Sequence, residues 1–259
     1  MRQLGAVLLA LGLCGLAKAD AHTARLHITE ADAAYRRGVE AGSIGEAAGA
    51  FAEAAEDYTA AIEAGAANGY VFYNRGNARV KSGRVGAAIA DYERALRMLP
   101  RFGDLRANLS YARALASGEQ KQSAPHDLLS PLLAPHTRTT LAETAWAAVG
   151  LYVLTFALLT AYALLPRQGL RRATLAAGIL CALACASLGA KMWDGSVTRA
   201  VVTTDDTAVR SGNAESFAEK YRVAEGAVIR VLEEREGWYK IRISRDEVGW
   251  VPQESVEAI

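Results

Sequence analysis

The chain has 259 residues, 29 Lys and Arg against 28 Asp and Glu, a net charge of +1, and 51% hydrophobic side chains. So balanced a charge provides no field for nucleic acid, and no Lys/Arg stripe supplies one locally. The three cysteines, Cys14, Cys181 and Cys185, all lie in apolar runs, which excludes disulfides and thiol chemistry from the polar parts of the chain. At the N-terminus, Arg2, the apolar stretch Leu4 to Leu16 and the small-x-small triplet Ala17-Lys18-Ala19 have the layout of a signal peptide over residues 1–19, with cleavage expected after Ala19.

Residues 28–117 are rich in Ala with recurrent Gly and show no strand alternation. Gly49, Phe51, Ala54, Tyr58, Ala61 and Ile62 match Gly83, Val85, Ala88, Tyr92, Ala95 and Leu96 at a period of about 34, the length of a helix-turn-helix repeat. The segment from Tyr70 to Pro100 resembles a tetratricopeptide repeat. The resemblance places Gly76 and Ala88 at the helix crossing, Phe72, Tyr92 and Ala95 between the helices, Gly83 in the turn and Pro100 at the end; Arg79 departs from the aromatic of that pattern. The helix before it carries Gly38, Gly42 and Gly45, each costing about 0.5–1 kcal/mol against alanine, and is expected to fray. A last helix, Asp104 to Ala116, is expected to cap the stack. Tyr73, Asn74, Asn77, Lys81, Asn108 and Tyr111 are expected to project onto a concave face, where side-chain amides suit the backbone of a bound peptide.

Residues 118–140 shift to Ser, Gln, Pro and charge and read as a linker, with Pro125, Pro131 and Pro135 blocking helix. Asp127 to Leu133 holds four leucines suited to a membrane surface. Two apolar runs follow. They predict transmembrane helices over 141–165 and 173–193, joined by a turn over 166–172 that holds Arg167, Arg171 and Arg172. The arginines assign that turn to the cytoplasm, and both soluble regions to the far side of the inner membrane. Thr140 and Glu143 have capping-box spacing. Cys181 and Cys185, four apart on one helical face, are expected to pack against the partner helix rather than hold metal.

The tail, 197–259, changes to short alternating runs. Tyr239, Ile241 and Ile243 alternate with Trp238, Lys240 and Arg242, and the runs Ala227 to Leu232 and Val248 to Pro252 read as neighbouring strands of a small barrel. Ala208 to Gly212, Glu225 to Leu232, Gly237 to Ile241 and Val248 to Pro252 together are similar to the bacterial SH3-like domain. Trp238, Trp250 and Pro252 are its expected groove residues, although the paired tyrosines of a proline-peptide groove are missing.

The expected whole is a multidomain membrane protein: an all-α tetratricopeptide domain, two transmembrane helices and a small all-β SH3-like barrel. That order, with Phe72-Tyr73-Asn74-Arg75-Gly76-Asn77-Ala78, Tyr92-Glu93-Arg94-Ala95-Leu96 and Arg106-Ala107-Asn108-Leu109-Ser110-Tyr111-Ala112-Arg113, resembles the BatE family of bacterial aerotolerance operons. The resemblance implies a non-enzymatic role in an envelope complex with von Willebrand A-type membrane proteins. A cell-wall-binding role for the tail, with peptidoglycan as ligand, is the alternative. No Ser-His-Asp order, zinc spacing or phosphate-cradling glycine loop is present, so no catalytic residue, metal or cofactor is expected.

Overall fold

The computed structural model describes residues 2–117, 136–244 and 247–259, with side chains from residue 21 onward. The proline-rich part of the expected linker, including His126 and Asp127 to Leu133, lies outside these residues. Two compact units form: the N-terminal helices with the C-terminal strands, and the helix pair between them in sequence.

In the first unit, α1 (Arg2–Glu40), α2 (Ile44–Ala61), α3 (Gly69–Lys81), α4 (Val85–Met98) and α5 (Gly103–Ser117) each pack against the next. Local sequence writes their starts. Ser43 Oγ accepts from the Glu46 amide before α2, and Asn68 Oδ1 accepts from the Tyr70 and Val71 amides before α3, satisfying donors that a helix start leaves open. Gly83 turns the chain between α3 and α4 at φ +84°, a left-handed value that glycine takes without steric cost.

The expected fraying of α1 is corrected. Its helix runs unbroken to Glu40, and a Cβ on Gly38 would lie 2.8 Å from the Phe51 ring, so this glycine permits a close crossing with α2. Tyr35 meets the same ring edge-on at 5.0 Å. Gly76 does the same for α3 and α4, where a Cβ would lie 2.6 Å from Tyr92 Cε1.

Seven strands, β1 (Arg199–Val202), β2 (Thr207–Arg210), β3 (Glu219–Val223), β4 (Val228–Arg235), β5 (Trp238–Arg242), β6 (Val248–Pro252) and β7 (Val256–Ala258), form one antiparallel sheet in the order β3-β2-β6-β5-β4-β1-β7. Every strand contributes to a single buried cluster that includes Val202, Val209, Val223, Ile229, Ile241, Val251 and Val256, so the sheet curls around its inner face.

The outer face of β1 and β7 packs on the helices. Val201, opposite Glu257 in the register, is fully buried and joins the helical core beside Ile89, Tyr92 and Leu105, a burial worth about 1.5–3 kcal/mol. An ion network surrounds it. Asp91 on α4 is completely buried and accepts from Arg75 twice, Nε at 2.9 Å and Nη2 at 2.6 Å. Arg79 and Arg94 pair with the same carboxylate at 2.9 and 3.1 Å, and both reach on to Glu257 of β7, Arg79 at 2.9 Å. Arg75 also donates to Thr59 Oγ1 at 3.0 Å, which joins α2 to the network. Arg79, the residue that breaks the expected aromatic pattern, therefore links the helices to the sheet. Two separate soluble domains did not anticipate this contact, because Arg79, Asp91, Gly86 and Glu257 carry no apolar signal.

Burial pushes the Glu257 carboxyl up, but the Arg79 and Arg94 guanidiniums outweigh that and hold it below its ordinary value of 4.5. A depressed carboxyl contributes stability that is fully present above its ordinary value and lost as pH falls through the depressed one. Amide exchange in Val256–Ala258 is therefore expected to speed up as pH drops below about 4.5, after correction for intrinsic rates. Glu257→Gln should remove that acid step and weaken the packing already at neutral pH. An identical acid profile in the variant would detach Glu257 from the effect.

The second unit is a pair of helices, α6 (Leu141–Leu164) and α7 (Gln168–Ser196), both long and apolar enough to cross a membrane. Thr140 and Glu143 close a capping box at the start of α6, with the Thr140 amide 2.8 Å from the Glu143 carboxylate and the Glu143 amide 3.1 Å from Thr140 Oγ1. Pro166 ends α6. The connection is shorter than the expected 166–172, because α7 begins at Gln168 and takes in Arg171 and Arg172. Ala148 and Ala177 are buried, and Gly178 faces Thr155, a seam of small residues where two backbones approach closely. Only 6% of each apolar window is buried, leaving Leu154, Phe156, Ile179 and Leu183 uncovered. Cys181 is half-buried and Cys185 exposed, so the latter does not pack on the partner helix as expected.

Candidate functional site

Asp32, Tyr35 and Arg36 from α1, Tyr58 from α2, and Asn74 and Asn77 from α3 line a cleft of about 240 Å³. Asp32 and Arg36 are four residues apart and share a helix face. The Tyr58 hydroxyl donates to Asp32 Oδ1 at 2.5 Å. Burial, reinforced by that hydrogen bond and the Asp32 charge, raises the Tyr58 pKa well above that of an ordinary phenol, so the hydroxyl stays a fixed neutral donor. Asn74 also hydrogen-bonds Tyr58, which opposes those effects without outweighing them, so the cleft offers the remaining capacity of that amide with a carboxylate and a guanidinium.

The expected groove residues separate. Asn74 lines the cleft beside Tyr58. Asn77 lines it too, but its Oδ1 accepts from the Tyr92 hydroxyl at 2.8 Å and from Asn108 Nδ2 at 2.9 Å. Asn108 also donates to the Tyr73 hydroxyl at 3.2 Å, and the Tyr73 ring meets Phe102 edge-on at 4.9 Å. Asn108 and Tyr73 are therefore parts of the packing between α3 and α5 rather than free contacts for a ligand. Lys81 holds its ammonium 5.1 Å above the Phe51 ring, against α2. Tyr111 is exposed. Sequence reasoning missed Asp32, Tyr35, Arg36 and Tyr58, because the glycines of α1 and the core position of Tyr58 directed attention elsewhere; the i, i+4 pair of opposite charges was the available signal.

On the sheet, Trp238 lies opposite Pro252 and Lys240 opposite Trp250 in the β5–β6 register, which sets all four on the outer face. Trp238 is half-buried, Trp250 is nearly covered, and the Lys240 ammonium lies 5.8 Å from the Trp250 ring centre. One further cluster has the composition of a metal site: His27 and Glu30 of α1 and Asp57 of α2 bring one ligand atom each within 4.8 Å of one another. His27 and Glu30 already pair at 3.2 Å, and burial with Glu30 and Glu53 pushes the Asp57 carboxyl up, the behaviour of crowded carboxylates.

No curated protein and no solved structure matches the chain. Residues 205–257, from the turn before β2 through β7, match the family described as Bacterial SH3 domain, so the C-terminal sheet is a domain of that kind.

Proposed function

We propose that this chain is a non-enzymatic, membrane-anchored adaptor that holds an extended segment of a protein partner in the cleft between α1, α2 and α3. One observation carries the reading: Asn74, the Tyr58–Asp32 pair and Arg36 converge on one concavity formed by packed helices, where amide and charged groups match a peptide backbone and its side chains. The helix pairs and the 34-residue period support a tetratricopeptide assignment, and the resemblance to BatE proteins supports von Willebrand A-type membrane proteins as partners. The uncovered apolar faces of α6 and α7 support a spanning hairpin, and Arg167, Arg171 and Arg172 support a cytoplasmic turn with the other regions exported.

Asn74→Ala is expected to weaken partner capture from detergent-solubilised membranes by about 1–3 kcal/mol while changing the melting temperature little, because alanine's better helix propensity offsets the lost bond to Tyr58. Asn108→Ala is expected to do the reverse, lowering stability by about 1 kcal/mol through the loss of its bonds to Asn77 and Tyr73. Full capture by a folded Asn74→Ala protein would remove the cleft from the mechanism.

The match to bacterial SH3 domains favours a second reading, in which the Trp238, Trp250 and Pro252 face grips peptidoglycan. The full chain should then sediment with purified sacculi and Trp238→Ala should not; failure of the parent protein to sediment would end that reading.

A further inference from the structure

Arg199, Arg230 and Arg242 form a row across three neighbouring strands. Arg199 is directly opposite Arg230 in the β1–β4 register, and Arg230 is directly opposite Arg242 in the β4–β5 register. Side chains directly opposite one another share a face, and like charges placed so destabilise a sheet. The row lines a cleft of about 700 Å³ with Val228, Ile229, Ile243 and Ser244. Val228 and Ile243 are each 40% exposed at its edges. Guanidiniums concentrated beside exposed aliphatic side chains match the layer where lipid phosphates overlie the start of the hydrocarbon.

The chain itself supplies the second argument. Only Val197 and Thr198 separate the end of the apolar helix α7 at Ser196 from Arg199, and so short a connection reaches about 10 Å when extended. We propose that the Arg199–Arg230–Arg242 row binds phosphate groups of anionic phospholipids at the surface of the bilayer that α7 enters. The proposal rests on the reading of α6 and α7 as a spanning hairpin. It assigns the sheet a lipid contact distinct from the Trp238 and Pro252 end of the same face.

The full chain, reconstituted into nanodiscs of phosphatidylcholine or of an equal mixture with phosphatidylglycerol, is followed by hydrogen–deuterium exchange over residues 228–243. Exchange should slow roughly fivefold or more in the anionic discs, the factor that one arginine near an anionic surface contributes. The Arg230→Gln/Arg242→Gln variant should show no slowing, and it should fold, because the change relieves like-charge repulsion. Arg230→Lys/Arg242→Lys should retain part of the effect. Equal exchange in both discs, slowing that survives in the Gln variant, or equal slowing from inorganic phosphate added to phosphatidylcholine discs would each overturn the proposal. Failure of the spanning reading shows separately, as loss of the chain from discs on alkaline carbonate washing.

Discussion

Asp91→Ala is expected to destabilise the helical and sheet unit by about 3–5 kcal/mol, because it strands buried arginines without their anion. Asp91 is completely buried and holds Arg75, Arg79 and Arg94 together, while Arg75 and Arg94 flank the Phe72 ring at 5.6 and 5.8 Å. Arg75 reaches α2 through Thr59, and Arg79 and Arg94 reach β7 through Glu257, so removing one carboxylate loosens three interfaces together. For a unit of this size the melting temperature should fall by about 6–20 °C, measured by circular dichroism on the detergent-solubilised protein. Asp91→Asn should recover part of the loss through its remaining hydrogen bonds. A melting temperature within about 2 °C of the parent protein would show that water or rearranged side chains replace the anion.

Gly86→Leu is expected to separate the sheet from the helices without unfolding either. A Cβ on Gly86 would lie 2.5 Å from the Val202 carbonyl oxygen, 2.7 Å from Glu225 Cγ and 2.9 Å from Thr203 Cα, and backbone atoms cannot step aside as a flexible side chain can. The Gly86 amide also donates to Glu225 Oε1 at 2.5 Å, a bond that needs the same close approach. Within α4, leucine is the better helix former by about 1 kcal/mol, so helix content should hold or rise. Amide exchange in Arg199–Val202 and Val256–Ala258 should accelerate about tenfold or more as the burial of Val201 is lost, while Trp238–Arg242 and Val248–Pro252 keep their protection. Unchanged protection in both β1 and β7 would mean that the contact tolerates the side chain.

The two predictions meet at an interface where an ion network and a close backbone approach surround the buried Val201. Its chemistry explains why it is expected to be acid-sensitive at Glu257 and why a leucine side chain at Gly86 should open it. α3 takes part in both sites, with Asn74 and Asn77 lining the cleft and Arg79 pairing with Glu257 of the sheet.

Sequence by itself determined the elements whose signals are local. The 34-residue period located the helix pairs, and small residues at Gly76 and Ala88 marked a crossing. The charge-free runs gave α6 and α7 with the Thr140–Glu143 capping box, and alternation around Ile241 gave β5 on a sheet that matches bacterial SH3 domains. These features repeat at 3.6 or 2 residues or depend on neighbours within one turn, so they survive without knowledge of the rest of the chain. Tertiary structure alone decided which polar residues meet. It turned Gly38 from a weak point into a crossing, withdrew Asn108 and Tyr73 into packing, brought Asp32 to Tyr58, and paired Arg79 with Glu257 across 178 positions. The reason is physical: an arginine or carboxylate looks the same in a sequence whether water or a distant counter-charge solvates it, and only the fold specifies which partner is within reach.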